Sequence, residues 1–277
     1  MPEGDTVWLT ASRLHKGLSG RQLTVSDFRV PAMATVDLRG RTVTEVLARG
    51  KHVLARIDDD LTLHSHLRMD GSWYLSRTGG RPPRRHPDHL IRALLGNAEW
   101  LATGYRVHDL RLLARADEAR VVGHLGPDLL GPDWDADQAA ANLRRDPAAA
   151  IGEALLDQRN LAGIGNMYKC EVLFMERVHP WTRVDDVPGL AELVATCHRV
   201  LRANRDHPEQ STTGFTERGR QHWVYERSGQ PCLRCRTPVR RADQGAPPRA
   251  RGTYWCPTCQ PEPARRAGGD DQPASRR

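Results

Sequence analysis

The chain has 277 residues, a hydrophobic fraction of 39%, 24 glycines, 19 prolines and a formal net charge of +7 with a pI near 9.4. That length supplies a hydrophobic core and about two domains. No apolar run approaches the roughly 18 to 20 residues of a membrane span, and the acidic start, MPEGDTVWLT, is unlike a secretory signal.

The first element predicted is a helix. Val7, Ala11, Leu14 and Leu18 fall at steps of four and three on one face, with Asp5 placed to cap the start and Gly20 to end it. Residues 21–115 read mostly as strands, among them TVTEVLA, HVLARI and LTLHSHL, the last two joined by a hairpin turn at Asp58, Asp59 and Asp60. Residues 81–85, rich in proline and arginine, read as a loop. Composition changes near residue 125. Asp135 caps a helix over residues 136–145, a second runs roughly over 148–158 and a third over 166–177. Leu190, Leu193, Val194, Cys197, Val200 and Leu201 make the stripe of a fourth. The pattern predicts an α+β multidomain protein: a β-rich domain with a leading helix over 1–124, a helical domain over 125–222, a cysteine module over 223–262 and a disordered tail over 263–277.

The module carries the strongest local signal. Cys232-x2-Cys235, a 20-residue gap and Cys256-x2-Cys259 have the spacing of a structural four-cysteine zinc site, with turn residues Gly245, Pro247 and Pro248 between the pairs. Disulfides are the alternative, and a reducing cytoplasm disfavours them. One structural Zn2+ is therefore expected, closed to catalysis. Cys170 and Cys197 lie in helices and read as small buried hydrophobes. His64 and His66 share a strand with no third ligand at a useful spacing, so packing or hydrogen bonding is expected of them.

Charge is concentrated beside the cysteines. Residues 218–251 hold nine arginines, no lysine and two acids, Glu226 and Asp243, a local sum that matches the whole chain's +7. A basic cluster of this kind favours nucleic acid as the partner, and a cytoplasmic, nucleoid-associated protein is expected.

Pro2 and Glu3 mean little in isolation. Removal of Met1 before a small residue exposes the secondary amine of Pro2, whose ordinary pKa of about 7.7 to 8 leaves a useful neutral fraction. Such an amine attacking a sugar C1′ gives an iminium ion that acidifies the C2′ protons and permits strand-breaking elimination. Glu3 is then placed to donate or shuttle protons.

MPEGDTVW at the start, RGKH at 49–52, HSHLRMDGSW at 64–73, LLDQRNLAGIGNMY at 155–168 and the terminal cysteine module occur in this order. Together they resemble the formamidopyrimidine-DNA glycosylase / endonuclease VIII family over about residues 2–260. Gly4 after Pro-Glu is closer to the endonuclease VIII branch, in particular its actinobacterial members. The resemblance implies an N-terminal β-sandwich, a helix-two-turns-helix domain and a β-hairpin zinc finger. It implies a base-excision enzyme with glycosylase and abasic-site lyase activity, acting as a monomer on double-stranded DNA that contains damaged bases or abasic sites. Carried over by position, Pro2 matches the nucleophile, Glu3 the general acid/base, Lys51 a phosphate-contacting lysine that assists catalysis, and Arg251 the zinc-hairpin arginine that grips the backbone. Asn166 closes LAGIGN, where it is expected to cap the next helix while that helix's N-terminus offers a phosphate site. Met69, flanked by Arg68, matches the wedge that fills the space of a flipped base.

Asp5 and Thr6 depart from the proline and glutamate common in that branch, and Arg68 and Asp70 depart from its amide and aromatic wedge neighbours. Oxidised pyrimidines are the favoured substrate class. Oxidised purines by the same chemistry, and a non-catalytic zinc-ribbon DNA-binding protein, are the competing readings.

Overall fold

The computed structural model describes residues 2–80 and 87–263. The expected loop at 81–85, and all but the first residue of the expected tail at 263–277, lie outside the described residues.

Helix α1, Gly4–Leu18, buries the anticipated face of Val7, Ala11, Leu14 and Leu18. Its cap is a correction. Glu3, not Asp5, is the N-cap residue, and neither side chain bonds α1's own amides because both carboxylates are engaged by the helical domain. Nine strands follow: β1 Arg21–Gln22, β2 Val25–Phe28, β3 Thr42–Arg49, β4 His52–Ile57, β5 Leu61–His66, β6 Ser72–Arg77, β7 Ile91–Gly96, β8 Trp100–Tyr105 and β9 Asp109–Ala114. They form a five-stranded sheet, β1-β3-β4-β5-β9, and a four-stranded sheet, β2-β7-β8-β6. All their pairings are antiparallel. Val43, Val46, Val53, Ile57 and Leu63 of the first sheet and Ala93, Leu95 and Ala102 of the second share one core with the apolar face of α1. This is the expected sandwich with its leading helix, each sheet burying one face.

Six helices are described in all. Beyond the sandwich come α2 Ala119–Val122, α3 Ala136–Leu143, α4 Ile151–Ala154, α5 Asn166–Met175 and α6 Leu190–Asn204. Asp135 caps α3 by accepting the Gln138 amide at 2.9 Å, as expected. The helix expected over 148–158 is only the four residues of α4. Beyond it, side-chain amides occupy the carbonyls that helix continuation needs. Asn160 Nδ2 donates to Ala154 O at 2.9 Å, and Gln158 Nε2 donates to Leu156 O and Ile164 O at 3.0 Å each. Every residue from Asn166 to Phe174 is buried, so α5 is the central helix of this domain.

Strands β10 Arg240–Gln244 and β11 Arg251–Trp255 form the terminal hairpin. Cys232, Val239 and Cys256 belong to the same hydrophobic cluster as α3, α5 and α6. The cysteine module is therefore built onto the helical core, which supplies apolar burial that so short a segment lacks alone. Among the described residues, no helix is long and apolar enough to cross a membrane.

Candidate active site

The N-terminus docks onto the turn that precedes α5. Gly4 N donates to Gly163 O at 2.8 Å, and a Cβ on Gly4 would stand 2.9 Å from Gly163 Cα, so this approach requires glycine. Glu3 is thereby inserted, fully buried, at the start of α5. Its carboxylate accepts from Gly165 N at 2.6 Å, Met167 N at 2.8 Å and, more weakly, Tyr168 N at 3.4 Å. A helix N-terminus holds an anion well, and here that anion is Glu3. The phosphate site expected at this terminus is accordingly corrected: the Gly165, Met167 and Tyr168 amides point inward at Glu3. Asn166 is also not the cap. The N-cap is Gly165, and Asn166 is the first helical residue, with Nδ2 donating to Gly252 O of β11 at 2.9 Å. Its Oδ1 is buried without a partner.

Lys51 lies in the β3–β4 turn. Gly50 takes a positive φ of 55° there, and its amide donates to Asp128 Oδ2 at 2.6 Å. Asp128 is buried, and its other oxygen accepts from Leu130 N at 3.0 Å, so one carboxylate ties this turn to the helical domain. Lys51 is close enough to Glu3 and Arg251 for both to act on its charge. Burial pushes its amine below the ordinary lysine range, Glu3 opposes that shift and Arg251 reinforces it. Burial likewise raises the Glu3 carboxyl; Lys51 lowers it, Asp5 raises it, and the Met167 and Gly165 amides lower it. Three residues named from sequence, 3, 51 and 251, thus meet in one electrostatic neighbourhood. Arg251 opens β11 opposite Gln244 and is exposed.

Met69 stands on the turn between β5 and β6 and is 63% exposed, the most open of the large apolar side chains. Arg68 has a positive φ of 56°, its amide donates to His66 Nδ1, and its guanidinium pairs with Asp109 Oδ2 at 2.8 Å. The turn is therefore fixed at its base while Met69 projects. Asp70 pairs with Arg106 at 3.3 Å.

The histidines are more numerous than expected. His52 lies opposite His66 in the β4–β5 register, and its Nδ1 is 2.8 Å from His64 Nε2. A hairpin centred on Asp59 already implied that register, so the third histidine was legible. The role is hydrogen bonding and packing: among the described residues only the cysteines group three or more potential ligands.

The Sγ atoms of Cys232, Cys235, Cys256 and Cys259 lie within 4.8 Å of one another, and Cys235 and Cys256 are 3.4 Å apart. A tetrahedron of thiolates at about 2.3 Å from zinc has edges of about 3.8 Å. Arg234 N and Cys259 N point at Cys232 Sγ and Cys256 Sγ, as at zinc knuckles. The four residues suit one structural zinc ion. Cys170 and Cys197 are buried apart from them, their thiols pushed up by burial to about 11 and about 12.

Residues that the sequence did not single out complete the frame. Glu171 of α5 accepts from Trp223 N at 2.7 Å, from the Val224 and Tyr225 amides at 2.9 Å each, and from the Thr212 hydroxyl. It closes the base of the 211–222 segment. Two of the clustered arginines are structural: Arg227 is buried on the Trp223 and Pro231 carbonyls, and Arg234 stacks on Phe174 at 4.0–4.5 Å, 4.4 Å to the ring centroid.

Comparison with known proteins agrees with this arrangement. The formamidopyrimidine-DNA glycosylase N-terminal domain matches residues 1–116, the helix-two-turns-helix domain of the same enzymes residues 125–212, and the zinc finger found in FPG and IleRS residues 229–261. The Streptomyces coelicolor protein named "Probable endonuclease 8 2" is 58% identical over 271 residues, 97% of each chain. The Mycolicibacterium smegmatis "DNA-(apurinic or apyrimidinic site) lyase Nei2" is 44% identical, covering 94% of this chain and 99% of its own. A Lactococcus lactis formamidopyrimidine-DNA glycosylase bound to abasic-site DNA shares the fold with a TM-score of 0.77 at 24% identity, over 94% of this chain and 100% of that one. The chain belongs to the formamidopyrimidine-DNA glycosylase / endonuclease VIII family, on its endonuclease VIII branch and among actinobacterial relatives.

Proposed function

We propose that this protein removes oxidised bases from double-stranded DNA, oxidised pyrimidines foremost, and cuts at the abasic site, with the Pro2 amine as nucleophile once Met1 is removed. The coarser activity, a DNA glycosylase with abasic-site lyase activity, follows from the family and from the relatives' names. The observation that carries the finer reading is the insertion of Glu3 at the start of α5, which sets Pro2 beside Lys51 and Arg251.

In this reading the Pro2 nitrogen forms a bond to C1′ and the base leaves with the electrons of its own bond. Glu3 gives a proton to the sugar ring oxygen as the C1′–O4′ bond breaks, leaving an iminium ion. Loss of a C2′ proton then expels the 3′ phosphate, and water releases the protein. Lys51, Arg251 and Asn166 hold phosphates and position the strand. Met69, with Arg68 beside it, enters the space of the flipped base, recovering part of an unstacking cost of a few kcal/mol. Oxidised pyrimidines are favoured because Pro2-Glu3-Gly4 and the 58% identical relative both point to the endonuclease VIII branch.

The purine reading rests on residues 211–222. Glu171 anchors this segment, and it presents an exposed Phe215 with the Arg220 guanidinium 4.0 Å from the ring centroid. Single-turnover excision from duplexes carrying 5-hydroxycytosine or 8-oxoguanine separates the two. Release of the pyrimidine at least about tenfold faster, about 1.4 kcal/mol in the barrier, is expected. The opposite order would assign the enzyme to purines.

A further inference from the structure

Asp5 and Thr6 are where the N-terminal motif departs from its branch, and no step above uses them. Asp5 is nonetheless almost fully buried, 1% exposed, within the first turn of α1. It joins three segments. Its Oδ2 accepts the Tyr168 hydroxyl of α5 at 2.6 Å, and Gln210 Nε2 reaches both oxygens, at 2.9 and 3.0 Å. Gln210 also reaches Thr6 Oγ1 at 3.3 Å, and the adjoining Ser211 is clamped by Asn204 at both its amide and its carbonyl. Both Asp5 oxygens thus act only as acceptors, the pattern of a carboxylate. A buried carboxylate is costly and seldom improves on an apolar replacement for stability alone.

The partner connects back to the chemistry. Tyr168, whose hydroxyl holds Asp5, is also the residue whose amide faces Glu3 Oε2. We propose that Asp5 is a positioning residue for Glu3: its fixed negative charge keeps a proton on Glu3 for the glycosylase step, and its bond to Tyr168 sets the first turn of α5 against that carboxyl. The proposal rests on the reading of Glu3 as the proton donor.

The surroundings of Glu3 show why such a residue is needed. Lys51 from the β3–β4 turn and the Gly165, Met167 and Tyr168 amides all favour the ionised form, which cannot donate. Lys169 of α5 adds a second cation within range. The remaining titratable groups that sense Glu3 are Tyr168, Cys170 and Tyr225, and the Pro2 amine adjoins it in the chain. Asp5 is the anion on the opposing side, and it acts in the direction that keeps the proton. A carboxylate at position 5 thus supplies a charge beside Glu3 in a chain whose motif has threonine at position 6.

The test is the pH profile of single-turnover base release. The alkaline limb reports loss of the donor's proton and the acid limb the Pro2 amine. Asp5→Asn keeps the shape and an acceptor for Tyr168 but removes the charge. Its alkaline limb should move down by about one pH unit, cutting release at pH 8.5 about tenfold. Release and borohydride trapping at pH 6 should stay within about threefold. Asp5→Glu should restore the limb. An unmoved limb in Asp5→Asn, or an equal fall of release and trapping at every pH, would overturn the proposal. Glu3→Gln should abolish the limb: if it persists there, the reading of Glu3 has failed, whereas its loss there with no shift in Asp5→Asn removes only the role of Asp5. Should the Asp5 variants not fold, Tyr168→Phe leaves the charge less screened, and a downward shift in that variant would contradict the proposal.

Discussion

The Glu3 carboxylate and the Gly165 backbone, 162 residues apart in the chain, meet at 2.6 Å, and a Cβ on Gly165 would stand 2.5 Å from the Glu3 carboxyl carbon. The glycine is required by the acid it binds. Gly165→Ala should displace Glu3 by a few tenths of an ångström or more and reduce base release by about 100-fold. DNA affinity should stay within about threefold, because the exposed Arg251 and Met69 are untouched. Gel-shift and single-turnover assays on one preparation check this; a variant with undiminished release would show that Glu3 need not be seated there.

Arg251 is exposed at the mouth of the β10–β11 hairpin, with only its neighbour's carbonyl, Ala250 O at 3.0 Å, as a bonded acceptor. Arg251→Ala should weaken binding to abasic-site DNA and flatten the dependence of log affinity on log salt by about one unit. Titrations between 50 and 200 mM salt measure this directly. An unchanged slope would remove Arg251 from the phosphate contacts.

Acid should destabilise the sandwich through its histidines. Burial, reinforced by their mutual repulsion, holds the His52 imidazole down to about 3; burial and the Arg68 charge hold His66 down to about 4. In the unfolded chain both titrate near 6.5. Between these values the unfolded state binds more protons, so stability present above about pH 6.5 is lost as pH falls towards 4 and 3. Tm should drop between pH 7 and 5, on the order of 5 °C from these groups. His52→Gln should lessen that drop, and a drop as steep in the variant would rule out the cluster as its source.

Removing zinc should cost the hairpin its fold, because a structural site supplies folding energy directly. Val239 and Cys256 lie in the helical core, so part of α5's cover should loosen with it. Chelation should make residues 229–261 sensitive to limited proteolysis and abolish tight binding of abasic-site DNA. Intact, protease-resistant protein after complete zinc loss would contradict the assignment.

Local signals were legible from sequence and long-range ones were not. The stripe from Leu190 to Leu201, the Asp135 cap, the Asp58–Asp60 hairpin turn and the paired cysteines each need only residues close in the chain, and each is found where expected. The contacts that make the site are of another kind. Glu3 on Gly165, Gly50 on Asp128 and Asp5 on Tyr168 join positions 78 to 163 residues apart, with no periodicity to reveal them. The family motifs did locate Pro2, Glu3, Lys51 and Arg251, but not what holds them. Asn166 was misjudged for a physical reason: LAGIGN reads as an open helix start, and only the folded chain shows Glu3 already occupying it.

The most direct test of the central claim is borohydride trapping on an abasic-site oligonucleotide, with native protein beside a form extended by an N-terminal tag. Reduction fixes an iminium ion as a stable amine, so a covalent complex marks the attacking nitrogen. The account predicts trapping by the native protein alone, with the adduct mapped to Pro2 and both forms binding the DNA. Equal trapping by the tagged form, or none by native protein that binds the DNA, would contradict Pro2 as the nucleophile.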